Sequence, residues 1–356
     1  MAQKIDGRLA YADLLRVFAT IAVIVLHLAG SQMGAVSVSS PAWRVFNVYD
    51  ALVRWCVPVF VMLSGMFMLD PHKGLPTTKL FFHNALRILI CLVFWGGIYA
   101  VGEYMLAGGR FTLWGLWGAI LNAFRGNTHY HLWFLYMILG LYLVTPILRA
   151  FCRGASRGDF HYFFVIAFLF ASLLPTAFYF WPNSTAVLHT WYDKLGVQLV
   201  MGYVGYYVAG YYLKEYTISR LAEALIYVFG VIGAVVSVWG TAVLSQRAGG
   251  LIDVFYSYLS PTVVCFSVAI FVLFRYVLGV SEERSRKQRL GGVARISFGI
   301  YLVHDLFIQL LHILGITTLS FAPVASVPLL SALVFLCAFA LAWLISHIPF
   351  VGRWLT

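Results

Sequence analysis

The run "DLLRVFATIAVIVLH", Asp13 to His27, decides how the chain is read. It opens an apolar segment of the length that crosses a bilayer, about 20 residues. Yet it carries Arg16 near one end and His27 near the other. An arginine at mid-helix costs roughly 2.5–3.5 kcal/mol on insertion scales, so such a group normally faces a protein interior or a wet cavity. Ten residues separate the two, and eleven steps of about 100° close three turns plus roughly 20°. Arg16 and His27 therefore share one helix face, about 16 Å apart along the axis. Asp13, three residues before Arg16, lies on the same face and can pair with it. The segment thus presents a polar stripe, with acid and arginine at one end and histidine at the other. Two readings of Arg16 stay open: snorkelling to the near surface and lining a cavity. His27 reads equally as a general base for a hydroxyl or as a histidine hydrogen-bonded at the interface.

The rest of the chain supports a membrane setting. Of 356 residues, 62% are hydrophobic and 10% charged, against about 25% charged in a soluble domain. Ten spans are expected, at 11–30, 48–69, 80–104, 131–151, 161–181, 196–213, 222–244, 254–278, 297–316 and 326–346. The expected fold is an all-α polytopic helical bundle forming one domain over 1–356. The segment "RFTLWGLWGAILNAF" (110–124) reads better as an interfacial or re-entrant helix than as a further span. Of the 24 Lys and Arg, sixteen then fall at the inner side, Lys4, Arg8 and the run "SEERSRKQR" (281–289) among them; five fall outside, and Arg16, Arg54 and Arg87 lie within spans. That asymmetry places both termini in the cytoplasm. The net charge of +11 is then a topology and lipid signal rather than one for nucleic acid. The five cysteines all lie in apolar runs, are odd in number and form no CxxC, so neither a disulfide framework nor a thiolate metal site is expected.

Other spans carry further polar groups. Arg54 lies about a turn and a half from the outer end of the second span, at a depth similar to His27. Pro58 follows it, a combination that suits a kinked cavity wall or plain helix packing. Arg87, about two turns from the inner end of the third span, could supply a fixed cation for phosphate. The fourth span opens with "HYHLWFLY" (129–136), whose Tyr130, Trp133 and Tyr136 fit an aromatic belt. His129 and His131 read as surface histidines or as facing an outer cavity. His304 and Asp305 are adjacent in the ninth span, and adjacent helical residues point in different directions. His129-x-His131 is too sparse for a metal assignment, and no P-loop, HExxH or GxSxG occurs.

Taken in order, these segments resemble the acyltransferase-3 family of integral membrane acyltransferases. The resemblance rests on Arg16 and His27 as the R-x10-H motif, "RWCVPVFVMLSG" (54–65), "LRILI" (86–90), "YHLWFLYMILGLYLVTPILR" (130–149) and "SFGIYLVH" (297–304). The branch that contains the enterobacterial common antigen O-acetyltransferase is the most similar in flavour. Many members have a proline and further arginines in the third-span motif, where this chain has Cys91 and only Arg87. The resemblance implies transfer of an acyl group, usually acetyl, from cytoplasmic acyl-coenzyme A to a hydroxyl or amine of a cell-surface or lipid-linked carbohydrate, in a bacterial cytoplasmic membrane. On that reading Arg16 and Arg87 meet the donor's phosphates and Asp13 holds Arg16. His27 deprotonates the acceptor, directly or through an acyl-histidine. Arg54 stabilises the oxyanion or orients the acceptor, Tyr130 and His131 shape the acceptor mouth, and His304 lines the cavity. No metal is expected. The competing reading is a transporter or flippase for a lipid-linked sugar; the absence of inverted repeats and the few carboxylates within the spans speak against it.

Overall fold

The computed structural model describes residues 9–197, 202–278 and 290–356. Lys4, Arg8 and the run 281–289 lie outside them. In chain order the helices are α1 (Ala10–Ser31), α2 (Pro41–Val53), α3 (Cys56–Met68), α4 (Leu86–Leu106) and α5 (Leu113–Asn122). Then follow α6 (Trp133–Gly154), α7 (Arg157–Phe180), α8 (Ala186–Leu195), α9 (Val204–Glu215) and α10 (Arg220–Ala248). The last four are α11 (Pro261–Tyr276), α12 (Leu290–Ile313), α13 (Pro323–Ser346) and the short α14 (Val351–Leu355). No strand occurs among the described residues, and the protein is an all-α polytopic bundle.

Nine helical segments among the described residues are long and apolar enough to cross a membrane. Residues 198–201 of the expected span at 196–213 lie outside the described residues. Its described part is α9, whose 12 residues rise about 18 Å. Instead of facing lipid, α9 packs backbone to backbone on α3. A Cβ on Gly65 would overlap the Tyr207 carbonyl, and a Cβ on Gly210 would overlap that of Met62. The segment 110–124 contains α5, whose 10 residues rise about 15 Å, half of what a crossing needs.

The second span is broken at Arg54 and Trp55, just before Pro58. Pro58 has no N–H, and its ring crowds the carbonyl four residues back, which belongs to Arg54. α2 ends at Val53 and α3 begins at Cys56, leaving Arg54 and Trp55 in the break. At its start α2 is fixed by the Ser40 hydroxyl, which accepts from the Trp43 N–H at 3.1 Å, and by Pro41 in the first turn. Further along, α10 turns Gly230, Gly233, Ser237, Gly240 and Thr241 inward. Against this small-residue stripe α11 approaches closely, as membrane helices do where no water drives association.

α1 lies centrally, against α2, α3, α11, α12 and α13. At the inner end Arg149 ties the α3–α4 connection together, donating to the carbonyls of Met68 (3.0 Å) and Lys73 (2.7 Å). Lys214 pairs with Asp70 at 2.5 Å. Part of the inner-side positive charge is therefore structural.

The α3–α9 contact makes a sign-reversed prediction. Glycine to alanine in a helix ordinarily stabilises by up to about 1 kcal/mol. Gly65→Ala is expected to destabilise, by about 1–3 kcal/mol, seen as a lower melting temperature in detergent. Gly140→Ala, with nothing within 4 Å of the new Cβ, is expected to leave that temperature unchanged or raise it.

Candidate active site

α1, α3, α4, α6 and α12 enclose an inner cavity of about 270 Å³. From α1 it is lined by Arg16, Val23 and His27, so the stripe inferred from spacing faces one space. Arg87, Phe67, Tyr142 and Phe298 also line it. Both arginines lie over aromatic rings, Arg16 5.8 Å from the centroid of Phe67 and Arg87 5.4 Å from that of Phe298. Asp13 stands one turn before Arg16, outside the lining.

A second pocket of about 390 Å³ opens toward the C-terminal end of α1, the end expected to face outward. Its walls include His27, Gly30, Asp50, Arg54, His129, Tyr130 and Asp305. Among the described residues the two linings share one, His27. Through Gly30, Asp50 and Arg54 this pocket continues into a basin of about 710 Å³ that also contains Tyr179, Tyr192, Tyr203, Asp253 and Tyr258. Arg54 thus belongs to this second space, at the end expected to face outward. Its Nε donates to Asp50 at 2.5 Å, and its guanidinium lies 4.4 Å over the ring of Tyr256. Asp50, fully within the protein, was not singled out from sequence; its position four residues before Arg54 on a helix was the available signal.

Behind this pocket lies an ionic network that links distant segments. Asp305 accepts from the Tyr130 hydroxyl (2.5 Å), from His129 Nε2 (2.6 Å) and from Gln309 (3.1 Å). The other nitrogen of His129 meets Glu103 at 2.5 Å. Burial opposes charge on His129, but the flanking carboxylates of Asp305 and Glu103 outweigh it and raise its proton affinity. An imidazolium donating from both nitrogens satisfies the arrangement. Ligand atoms of His129, His131 and Asp305 come within 4.8 Å of one another. A metal would need His129 Nε2 as a free lone pair, and that nitrogen is already committed to Asp305, so the trio fits an ionic network better than a metal centre.

Tyr130 bridges this network to His27, its ring meeting the imidazole edge-on at 5.1 Å. The expected pairing of Tyr130 with His131 at one mouth is divided between two spaces. Tyr130 faces the outer pocket, and His131, one residue on, turns into the inner cavity. His304 lines neither: it is fully buried, stacked on His27 at 5.2 Å and packed against His131. Its Nδ1 lies 2.6 Å from the Tyr301 carbonyl. A carbonyl only accepts, so Nδ1 carries a proton and Nε2 is the free nitrogen of the neutral ring. That Nε2 and both ring nitrogens of His131 have no hydrogen-bond partner among the described residues.

Residues 9–347, nearly the whole chain, match the family model described as an acyltransferase domain, Acyl_transf_3. The chain belongs to the acyltransferase-3 family. Neither the curated proteins nor the solved structures compared with it gave a match. It is a multi-pass membrane acyltransferase, and the site lies where the ordered motifs of its first, second, fourth and ninth expected spans converge.

Asp305→Asn removes the charge between three donors. It is expected to lower the stability of the acyltransferase by about 3–5 kcal/mol, the usual cost of breaking a buried ionic network. Glu103→Gln, on a carboxylate about half exposed, is expected to cost under about 1 kcal/mol. Thermal unfolding in detergent measures both, and equal effects would reject the network as the organising element.

Proposed function

We propose that this acyltransferase moves an acyl group, acetyl in the simplest case, from cytoplasmic acyl-coenzyme A to a hydroxyl of a cell-surface or lipid-linked carbohydrate at the outer face of a bacterial cytoplasmic membrane. The observation that carries the proposal is the position of His27, the residue shared by an inner cavity with two arginines and an outer pocket with polar and aromatic walls. A coenzyme is too large and charged to cross lipid. Its phosphates would meet Arg16 and Arg87, and its pantetheine arm would extend along α1 over the roughly 16 Å to His27. The outer basin, with its tyrosines and Asp253, suits a sugar, whose ring faces stack on aromatic side chains and whose hydroxyls need polar partners.

In this mechanism neutral His27 takes the proton of the acceptor hydroxyl, and the oxygen attacks the thioester carbonyl. The tetrahedral oxyanion collapses, the carbon–sulfur bond breaks, and the departing thiolate takes the proton back from His27. Arg54, held by Asp50 in the outer pocket, orients the acceptor or stabilises the oxyanion. Tyr130 and His304 hold the His27 ring from its edge and its face. Asp13, one turn from Arg16, would help fix the donor end.

His27→Ala is expected to lower coenzyme A release from acetyl-coenzyme A by about 10²–10⁴-fold, with the melting temperature kept. The measurement uses purified protein, a thiol-reactive dye and a mixture of cell-envelope glycans. Retained activity in the folded variant rejects His27 as the base. Movement of a labelled lipid-linked sugar without thiol release rejects acyl transfer.

A further inference from the structure

One face of α4 is bound from outside the cavity. Arg87, Cys91 and Trp95 follow one another at four-residue spacing and so share a face. Each donates to a main-chain oxygen of the segment 351–356, that of Thr356 being the last in the sequence. Arg87 Nη2 donates to Thr356, Cys91 Sγ to Trp354 at 2.9 Å, and Trp95 Nε1 to Leu355 at 3.3 Å. The segment is itself closed by the Thr356 hydroxyl, which donates to the Gly352 carbonyl at 2.7 Å. On its far side α12 makes room with Gly299, where a Cβ would come 2.9 Å from Thr356 Cβ. Leu355 and Thr356 are buried. No residue of 351–356 lines the inner cavity, whereas Arg87 does.

The segment therefore stands behind Arg87 rather than in the donor's path. One Nη of the guanidinium is tied to the main-chain oxygen of Thr356, and the ring of Phe298 lies against it. Its Nε is buried with no partner among the described residues. A buried, unpaired cationic donor beside a cavity is costly unless an acceptor arrives, and an anionic group of a ligand is such an acceptor. The segment lies beyond the family match, which stops at residue 347.

We propose that residues 351–356 are a clamp that positions Arg87 for the anionic end of the acyl donor. The chain holds a single arginine in this part of α4, and the clamp fixes it through the main-chain oxygen of Thr356, with Cys91 and Trp95 as two further anchors on the carbonyls of Trp354 and Leu355. Thr356, Trp354 and Leu355 are then positioning residues for donor binding. This rests on the acyl-coenzyme A reading above.

The test compares the full chain, a chain lacking 351–356, and Gly299→Val, which leaves α4 intact and crowds Thr356 and, on α13, Ala342. Three things are measured: steady-state rates against acetyl-coenzyme A, rates against acceptor, and alkylation of Cys91 by N-ethylmaleimide, followed by mass spectrometry. Both variants are expected to expose Cys91 and to raise the KM for acetyl-coenzyme A about tenfold, the scale of losing a well-placed charge-assisted contact, with kcat and the acceptor KM within about twofold of the full chain. In an Arg87→Gln background the deletion is expected to add nothing to the donor KM, because both changes remove the same contact. Exposure of Cys91 with an unchanged donor KM overturns the clamp. So does a fall in kcat and folded yield alone, and so does a deletion effect that persists without Arg87. An unaltered chain that neither binds nor consumes acetyl-coenzyme A overturns the donor reading as well, and measuring it first separates the two failures.

Discussion

α1 can carry an arginine and a histidine through a membrane only because the bundle surrounds it. In lipid those groups would cost several kcal/mol; between α3, α4, α6 and α12 they face a cavity instead. Much of the architecture serves that enclosure. Gly65 and Gly210 let α3 and α9 touch backbone to backbone, and the break at Arg54 bends the second span around the outer pocket. Asp305 ties α12 to the residues that lead into α6. Because Tyr130 answers to Asp305 on one side and to His27 on the other, the ring at the centre of the site is positioned by a carboxylate it does not touch.

How much of this was legible in sequence depends on whether a feature is local. The shared face of Arg16 and His27 follows from the fixed rise and turn of one helix, and both residues line the same cavity. The kink at Arg54 follows from Pro58 in the same way. The network around Asp305 could not be read, since His129 and Asp305 are 176 residues apart and adjacent residues such as His304 and Asp305 point apart whatever their role. Hydropathy found the long spans, but it could not show that α9 packs on the backbone of α3, because a segment whose glycine meets a neighbouring carbonyl inside the protein is as apolar as one that faces lipid. The opposite turns of Tyr130 and His131 had no periodic signal either, since they arise where a short tight turn hands over to α6.

The division of space at His27 has a chemical consequence. In the proposed reaction a thioester is open to attack by water as well as by a sugar, so a through-going channel would waste the donor. The inner cavity shares His27 with the outer pocket and Tyr258 with the outer basin, and on that reading these side chains restrict the nucleophile to whatever the outer pocket admits. The outer wall would then matter more for selectivity than His27. Arg54 does not enter this pocket as a bare cation, because Asp50 takes its Nε and Tyr256 covers its face. Such a paired, immobilised guanidinium can direct hydrogen bonds at a neutral hydroxyl without concentrating anions at the mouth.

The same logic separates the two ends of the cavity. At the outer end cationic charge is compensated: Arg54 by Asp50, His129 by Asp305 and Glu103. At the inner end Arg87 donates to the main-chain oxygen of Thr356 and lies against the ring of Phe298, which together hold its position. On the proposed reading a donor bearing several phosphates would meet Arg16 and Arg87, and charge balanced near the outer pocket would let a neutral sugar bind without competing for counter-ions. The polarity of the proposed transfer, donor from one side and acceptor from the other, would then follow from placing the paired carboxylates Asp50, Glu103 and Asp305 around the outer pocket.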